Sequence, residues 1–486
     1  MNRTEMKNGN LLKKVCIRLK GALASPLLAG SGENEQTDND VIMDRSGRAF
    51  VPGSSLAGAF RHFLNEGSTC SRAAAIEALF GGKTSLFNEQ SEPHLGKQSS
   101  LIVYDLSLGA DSDGRANITT RDGVRLDSYK TALDQTKYEV QVVETGTPFT
   151  IRLEWNLRHD TNRTVAQAEL EQLILELIDG LYTGDLTIGA KSRRGFGQLK
   201  VKRIEARSFD YSNPKEVLDW LEWDWQGEMT GVPEQNAKWS PHVSFIPGVL
   251  ARIEGRSFGY CRMQVPLAIR HTLMIRRYTG KGLGQPNEPD YEQLQMNGAA
   301  VIPGTSWTGA IRERLNMILQ EMGVDQERRT KQMEALFGTL HDRKQRSQCL
   351  KASRIRIEEA SVKGGHALTL TRNKIDRFTG GTVKGALYTM TPWIGGETEL
   401  GIRWLRPKTE EEQAVLCGLL LWVIRDLQEG LLAVGGETAV GRGTFKDIGD
   451  HKVYLNGSVL SEDMKKAYYL AAVRWCQQTE KGAVVR

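Results

Sequence analysis

The chain has 486 residues, 40% of them hydrophobic and 25% charged, with a formal net charge of +5 at pH 7. That is too long for one hydrophobic core and suits two or three domains of ordinary globular composition. The mild positive balance permits a polyanionic partner without requiring one. Six scattered cysteines with no Cys-x-x-Cys pair argue against a zinc site and against a disulfide framework. The longest apolar run, residues 414–424, is too short to cross a bilayer, and residues 1–14 lack an apolar signal segment, so the expected location is the cytoplasm.

In chain order, residues 15–23 alternate apolar and polar side chains as a half-buried strand does. An acidic, glycine-rich loop follows over residues 26–50 and includes Asp38 in Thr37-Asp-Asn-Asp-Val-Ile. Next comes Pro52-Gly-Ser-Ser-Leu-Ala-Gly-Ala-Phe-Arg61, which returns 251 positions later as Pro303-Gly-Thr-Ser-Trp-Thr-Gly-Ala-Ile-Arg312. Each copy predicts an amphipathic helix with one buried stripe, and about 100° per residue turns Gly58, Arg61, Gly309 and Arg312 away from it. Ser54, Ser55, Thr305 and Ser306 stand where a helix cap is expected, so each copy reads as a helix start facing an anion beside an arginine. The alternative is a capped core helix with a surface arginine.

The duplication continues. Residues 76–81 reappear as 333–338, the strand expected at 100–105 pairs with 353–358, and that at 149–155 with 399–404. A second helix is expected over 165–181 and again over 411–427. Each runs into a glycine loop, 188–197 and 434–443, whose three glycines stay in register. Strand, helix, strand, strand, helix, strand is the ferredoxin-like βαββαβ plan, so the fold class is α+β with two tandem domains. The expected boundaries are 1–206, a Trp/Pro-rich linker at 207–259, 260–450, and a helical tail at 451–486.

Lys191, Arg193 and Arg194 among the glycines of the first loop suit a phosphate-binding nest, whereas the second loop has Glu437 and only Arg442. Neither loop has a Walker ending. Asp38 lies 14 residues ahead of Pro52, and Asp290 lies 13 ahead of Pro303. A carboxylate beside a phosphate site is informative, because it is repelled unless it binds a metal, takes a proton or positions a hydroxyl. No histidine recurs in both halves, which disfavours a duplicated histidine mechanism.

These residues resemble the RAMP superfamily of CRISPR-associated proteins, and in particular the guide-lining backbone subunits of type III effector complexes. Three motifs carry the resemblance: the Pro-Gly-Ser/Thr-Ser-x-x-Gly-x-x-Arg helix start, the terminal glycine loop, and residues 374–388 with Arg377. The last is similar to the stretch leading into the thumb hairpin of that family, and 123–127 is its more degenerate first-half counterpart. Two domains in one chain look most like type III-D. The resemblance implies RRM-like cores with thumb insertions that bind guide RNA, target RNA and other effector subunits in antiviral defence. It also implies an endoribonuclease that cuts target RNA with Mg²⁺ or Mn²⁺ at Asp38, with Asp38 as the metal ligand and Asp290 as its less regular partner. Guide phosphates would meet Ser54, Ser55, Arg61, Lys191, Arg193, Arg194, Ser306, Arg312, Arg377 and Arg442. A non-catalytic RNA-binding subunit and a precursor-RNA processing enzyme are the alternatives.

Overall fold

The computed structural model describes residues 9–30, 38–66, 70–82, 98–109, 115–124, 131–159, 165–227, 230–233, 259–278, 289–339 and 351–478. Thr37 and residues 125–127 of the stretches named above, and residues 234–258 of the expected linker, lie outside the described residues. The chain divides into two compact units. One comprises Met1–Thr120, Val140–Ser192 and Phe196–Phe258; the other comprises Arg121–Glu139, Arg193–Gly195 and Gly259–Arg486. Residues 207–227 and 230–233 of the expected linker therefore belong to the first unit, and Gly259 and the tail to the second.

In the first unit, β1 (Leu11–Leu23) lies centrally, antiparallel to both neighbours. Val15, Ile17 and Leu19 are fully buried on one of its faces, the period-two pattern that fixes strand register. The helices of the first half are α1 (Gly53–Asn65), α2 (Cys70–Phe80) and α3 (Gln167–Thr183). The strands β2 (Leu101–Val103), β3 (Tyr138–Val143), β4 (Pro148–Arg158) and β5 (Leu199–Asp210) fall between and after them. The core sheet runs β2-β4-β1-β5. Leu56, Phe60 and Leu64 of α1 and Leu173, Ile174, Leu177 and Leu181 of α3 complete the buried core.

The opposite sheet face carries charge, and the chain closes it itself. Lys14 pairs with Glu154 at 2.6 Å and Arg18 with Glu205. After β5, α4 (Pro214–Glu222) starts with Pro214 at its first turn and Asn213 capping it. Trp220 and Trp223 pack on Phe209 at 5.3 and 5.6 Å, Trp225 meets Tyr104 at 5.5 Å, and the Lys14 ammonium lies 4.0 Å from the Trp220 ring. Aromatic rings over paired charges bury apolar area while leaving no ion without a partner.

The second unit repeats the plan. Its principal strands and helices are β6 (Tyr260–Ile269), β7 (Tyr291–Gln293), α5 (Gly304–Glu321), α6 (Gln326–Phe337), β8 (Ile355–Ile357), β9 (Leu370–Ile375), β10 (Thr382–Thr391), β11 (Glu397–Leu405), α7 (Glu410–Gln428), β12 (Phe445–Asp447) and α8 (Glu462–Gln477). The antiparallel order β8-β11-β6-β12 matches the first sheet. Ala472 and Cys476 of α8 are buried in the same core as α7.

Individual hydrogen bonds recur. Gly197 N–H donates to Pro26 O at 2.8 Å, as Gly443 N–H does to Thr272 O at 2.7 Å; Ala190 to Leu28 and Gly436 to Met274 are both 2.8 Å. Ser99 Oγ bonds Leu79 O and Leu101 O, as Ser353 Oγ bonds Leu336 O and Ile355 O. The counterpart of Ser353 is thus Ser99, one residue earlier than the sequence alignment placed it. That slip matters, because one residue exchanges the two faces of a strand. One contact has changed character: Phe63 packs against Gly180, whose absent Cβ would lie 2.5 Å from the ring, whereas the second half has an Arg314–Asp426 ion pair at 2.5 Å.

Candidate nucleic-acid interface

The two recurring helices do not start at their serines. Pro52 and Pro303 occupy the cap positions without a side-chain cap, and the helices begin at Gly53 and Gly304. Backbone crowding explains this. A Cβ on Gly53 would lie 2.2 Å from Val103 O, and one on Gly304 would lie 2.3 Å from Ile357 O. Gly53 N–H is already bonded to the Asp105 carboxylate at 2.7 Å, so part of the positive helix end is satisfied internally. Ser54 and Ser55 are exposed, and Ser306 is half-buried.

Further along each helix the surface is bare. Gly58 and Gly309 are exposed, and a Cβ on either would meet nothing within 4 Å. Nothing described in the chain accounts for a glycine there, although glycine inside a helix costs about 0.5–1 kcal/mol relative to alanine. Arg61 and Arg312 are half-buried, one turn on from these glycines.

In the glycine loops, Gly197 and Gly443 sit at φ +74° and +70°, where a Cβ would strike Ile188 O and Val434 O. Lys191 and Glu437 hold the equivalent left-handed position, φ 56° and 58°. The acidic groups are also equivalent in register. Asn39 bridges Val140 in parallel, and Tyr291 pairs with Met390 in parallel, so Asp38 and Asp290 each stand one residue before a parallel pairing. Asp38 is exposed. Asp290 Oδ2 accepts the Thr389 N–H at 2.8 Å, and its own N–H donates to Thr389 O at 2.8 Å. Elsewhere in the acidic loop, Asp44 closes its own turn, and the Arg48 N–H, followed by that of Ser46, holds its carboxyl below the usual range.

β9 and β10 form a hairpin whose turn is wound on Asp376. Its carboxylate accepts the Thr379 N–H at 2.8 Å and that of Phe378 at 2.9 Å, bonds that lower its pKa. The turn leaves Phe378 99% exposed and Leu387 68% exposed, with Arg372, Lys374, Arg377 and Lys384 exposed on the same hairpin. Residues 374–388 are therefore the hairpin itself rather than a stretch leading into one. An apolar tip among cations suits stacking on bases beside phosphates.

A family model for the RAMP superfamily matches residues 22–200 and again residues 278–446. The chain belongs to the RAMP superfamily. Both matches fall on the repeated halves, and membership suggests a CRISPR-associated, RNA-binding role. No curated protein matches this RAMP chain.

The RAMP halves treat the cations anticipated for RNA differently. Arg194 and Arg377 are exposed. Lys191 is half-buried. Burial, then the Arg356 guanidinium, lowers Arg193 to about 10, with a Tyr260 hydrogen bond opposing them. Arg442 is buried rather than presented to solvent. It is 3% exposed, its Nε 2.6 Å from Glu437, its Nη1 3.0 Å from Thr272 Oγ1 and its Nη2 3.3 Å from Met390 Sδ. Glu437 also accepts from Tyr291 OH at 2.7 Å and lies 3.4 Å from Arg276. Burial works against its charge, but Tyr291 and Arg442 outweigh that and hold its pKa below normal. Burial, then the Glu437 hydrogen bond, pushes Tyr291 up to about 12. Sequence reading missed Asp105, Tyr291 and Arg276. The departure of Glu437 from Lys191 in an otherwise repeated loop was the available signal for the last two.

Among the described residues no three His, Cys, Asp or Glu side chains gather as a metal-binding group, and no helix is long and apolar enough to cross a membrane. Described cysteines Cys16, Cys261, Cys417 and Cys476 are buried free thiols, and burial pushes Cys16 and Cys417 up to about 12.

Proposed function

We propose that this RAMP protein is a tandem backbone subunit of a type III CRISPR effector, most like type III-D. Its two ferredoxin-like halves hold a guide RNA and cut complementary target RNA. The observation that carries the reading is the bare helical glycine in each half, Gly58 and Gly309, with open space where a phosphate backbone can approach. Arg61, Arg194, Arg312 and Arg377 then neutralise phosphates without reading bases, which leaves sequence to base pairing. The Phe378 hairpin offers an apolar tip to unstacked bases.

In the cutting step, a splayed target nucleotide brings its 2′-hydroxyl in line with the adjacent phosphorus. The O2′–P bond forms as the P–O5′ bond breaks, the 2′-hydroxyl releases its proton, and the leaving 5′-oxygen takes one from water. The products are a 2′,3′-cyclic phosphate and a 5′-hydroxyl. Asp38 holds the metal or orients the attacking hydroxyl, an effect of positioning and charge. A divalent Mg²⁺ or Mn²⁺ would supply charge stabilisation at the phosphate. The exposed Asp38 fits as a lone carboxylate ligand beside phosphate oxygens, the way Mg²⁺ is commonly held. Asp290 stands at the equivalent place in the second half.

The test is to purify the protein with its partners, sequence the small RNA that accompanies it, and offer complementary RNA with Mg²⁺. A shared repeat-derived 5′ end and regularly placed cuts are expected. Asp38→Asn should keep guide and target yet lose one cut. Unchanged cutting by that variant removes Asp38 from the mechanism, and a wild-type complex that never cuts leaves a structural RNA-binding subunit. Cutting of repeat RNA in EDTA indicates a processing enzyme instead.

A further inference from the structure

The second half contains a device that the first half lacks, centred on Glu437. This carboxylate joins the glycine loop through Arg442, the short strand Arg276–Tyr278 through Arg276, and the Asp290 segment through Tyr291. The Arg276 guanidinium also lies 4.7 Å from the Tyr291 ring centroid. Arg442 Nη2 reaches Met390 Sδ at 3.3 Å, and Met390 is the β10 residue that pairs with Tyr291. One step away on each strand, Asp290 and Thr389 exchange two hydrogen bonds of 2.8 Å. One half-buried carboxylate thus ties together the loop, the aspartate segment and the foot of the hairpin.

The repeat supplies an internal control. By the matching hydrogen bonds and pairings, Glu437, Arg442, Tyr291, Met390 and Arg276 correspond to Lys191, Phe196, Asn39, Val140 and Gly30. Every member of the cluster differs between the two copies, and together they convert a basic loop into a braced one. The change is not incidental drift at one position, because the buried Arg442 guanidinium needs a carboxylate beside it, and Glu437 supplies one at 2.6 Å. Glu437 also retains the left-handed backbone that a non-glycine residue adopts only where its surroundings hold it.

We propose that Glu437 is the positioning residue of the second half: it fixes Asp290 and the foot of the hairpin against the glycine loop, so that the second cut is made at a pre-set geometry. This rests on the reading of Asp290 as a cutting group. Glu437 touches no substrate; it acts through Tyr291 and Met390. Catalytic geometry is sensitive to such support, since a displacement of about 1 Å can cost roughly a hundredfold in rate.

The experiment uses the whole complex and compares wild type with Glu437→Gln and the milder Tyr291→Phe, which removes one hydroxyl. Two readouts are taken on each: the rates of the individual cuts on one target under saturation, and amide hydrogen exchange at Asp290 and Thr389. Glu437→Gln should slow the second-half cut roughly ten- to a hundredfold in kcat with KM for target unchanged. The first-half cut should be untouched and exchange faster at both amides. Tyr291→Phe should do the same more weakly, and Glu437→Asp should recover part of the rate. Equal slowing of every cut, or unaltered exchange at Asp290 and Thr389, overturns the proposal. A wild-type complex that makes no second-half cut sinks the reading of Asp290 and the proposal's cutting role with it, whereas the exchange result then still decides whether Glu437 braces the hairpin.

Discussion

Replacing Gly58 and Gly309 with alanine should stabilise the protein while weakening its hold on RNA. Both residues lie within helices, neither has a positive φ, and a Cβ on either meets nothing within 4 Å. Each exchange therefore removes the helical penalty of glycine, about 0.5–1 kcal/mol, and adds no clash. Because the sites lie in separate compact units, the two gains should add. In a unit of this size each gain raises the melting temperature by about 1–4 °C. The methyl group nevertheless projects into the space assigned to a phosphate. Loss of one hydrogen bond to a charged group costs about 1.5–3 kcal/mol, roughly a ten- to hundredfold weakening. The assay pairs thermal melting of RNA-free protein with titration of guide-length RNA at two salt concentrations. A double variant that melts higher yet binds RNA as tightly as wild type would refute the assignment of these glycines. One that melts lower would refute the open-space geometry itself.

Asp179, 7% exposed in α3, carries a carboxyl raised to about 7 by burial first, then by Asp185 and Glu176. A folded pKa above the unfolded one means that stability is full below the ordinary carboxyl value of 3.8 and is lost as pH climbs towards 7. Asp179→Asn should therefore leave melting near pH 4 unchanged and raise stability above pH 7, by up to about 4 kcal/mol at 1.36 kcal/mol per pH unit; a variant that melts like wild type at pH 8 contradicts this. At the hairpin tip, Phe378→Ala should leave melting unchanged, since the ring touches almost nothing, but weaken target RNA by about 1–3 kcal/mol if it stacks on a base. Equal target affinity in filter binding would exclude that stacking.

Much of the architecture was legible because the chain states it twice. Apolar periodicity located α1, α3, α5 and α7 to within a few residues, and the three glycines of each closing loop kept their spacing because all six hold a positive φ, and all but Gly441 also sit against passing backbone. Helix starts were harder to place. Serine is a good cap by propensity, but the close approach of Val103 O and Ile357 O draws the first turn back to glycine, and Asp105, 52 residues away, supplies the anion. The strand of Ser99 slipped by one because Ser99 and Ser100 are adjacent and only the bonds to Leu79 and Leu101 distinguish them. Arg442 read as an RNA contact, since nothing local reveals that its partners come from Thr272, Met390 and Glu437.

The brace in only one half also bears on how such an assembly can vary. In an assembly of identical polypeptides, a residue altered at one station is altered at all of them, so no station can specialise. Covalent fusion of two copies lifts that constraint. Here one gene encodes a lysine at one station and a glutamate with its arginine escort at the other, and the price of division of labour falls from a second gene to a handful of codons.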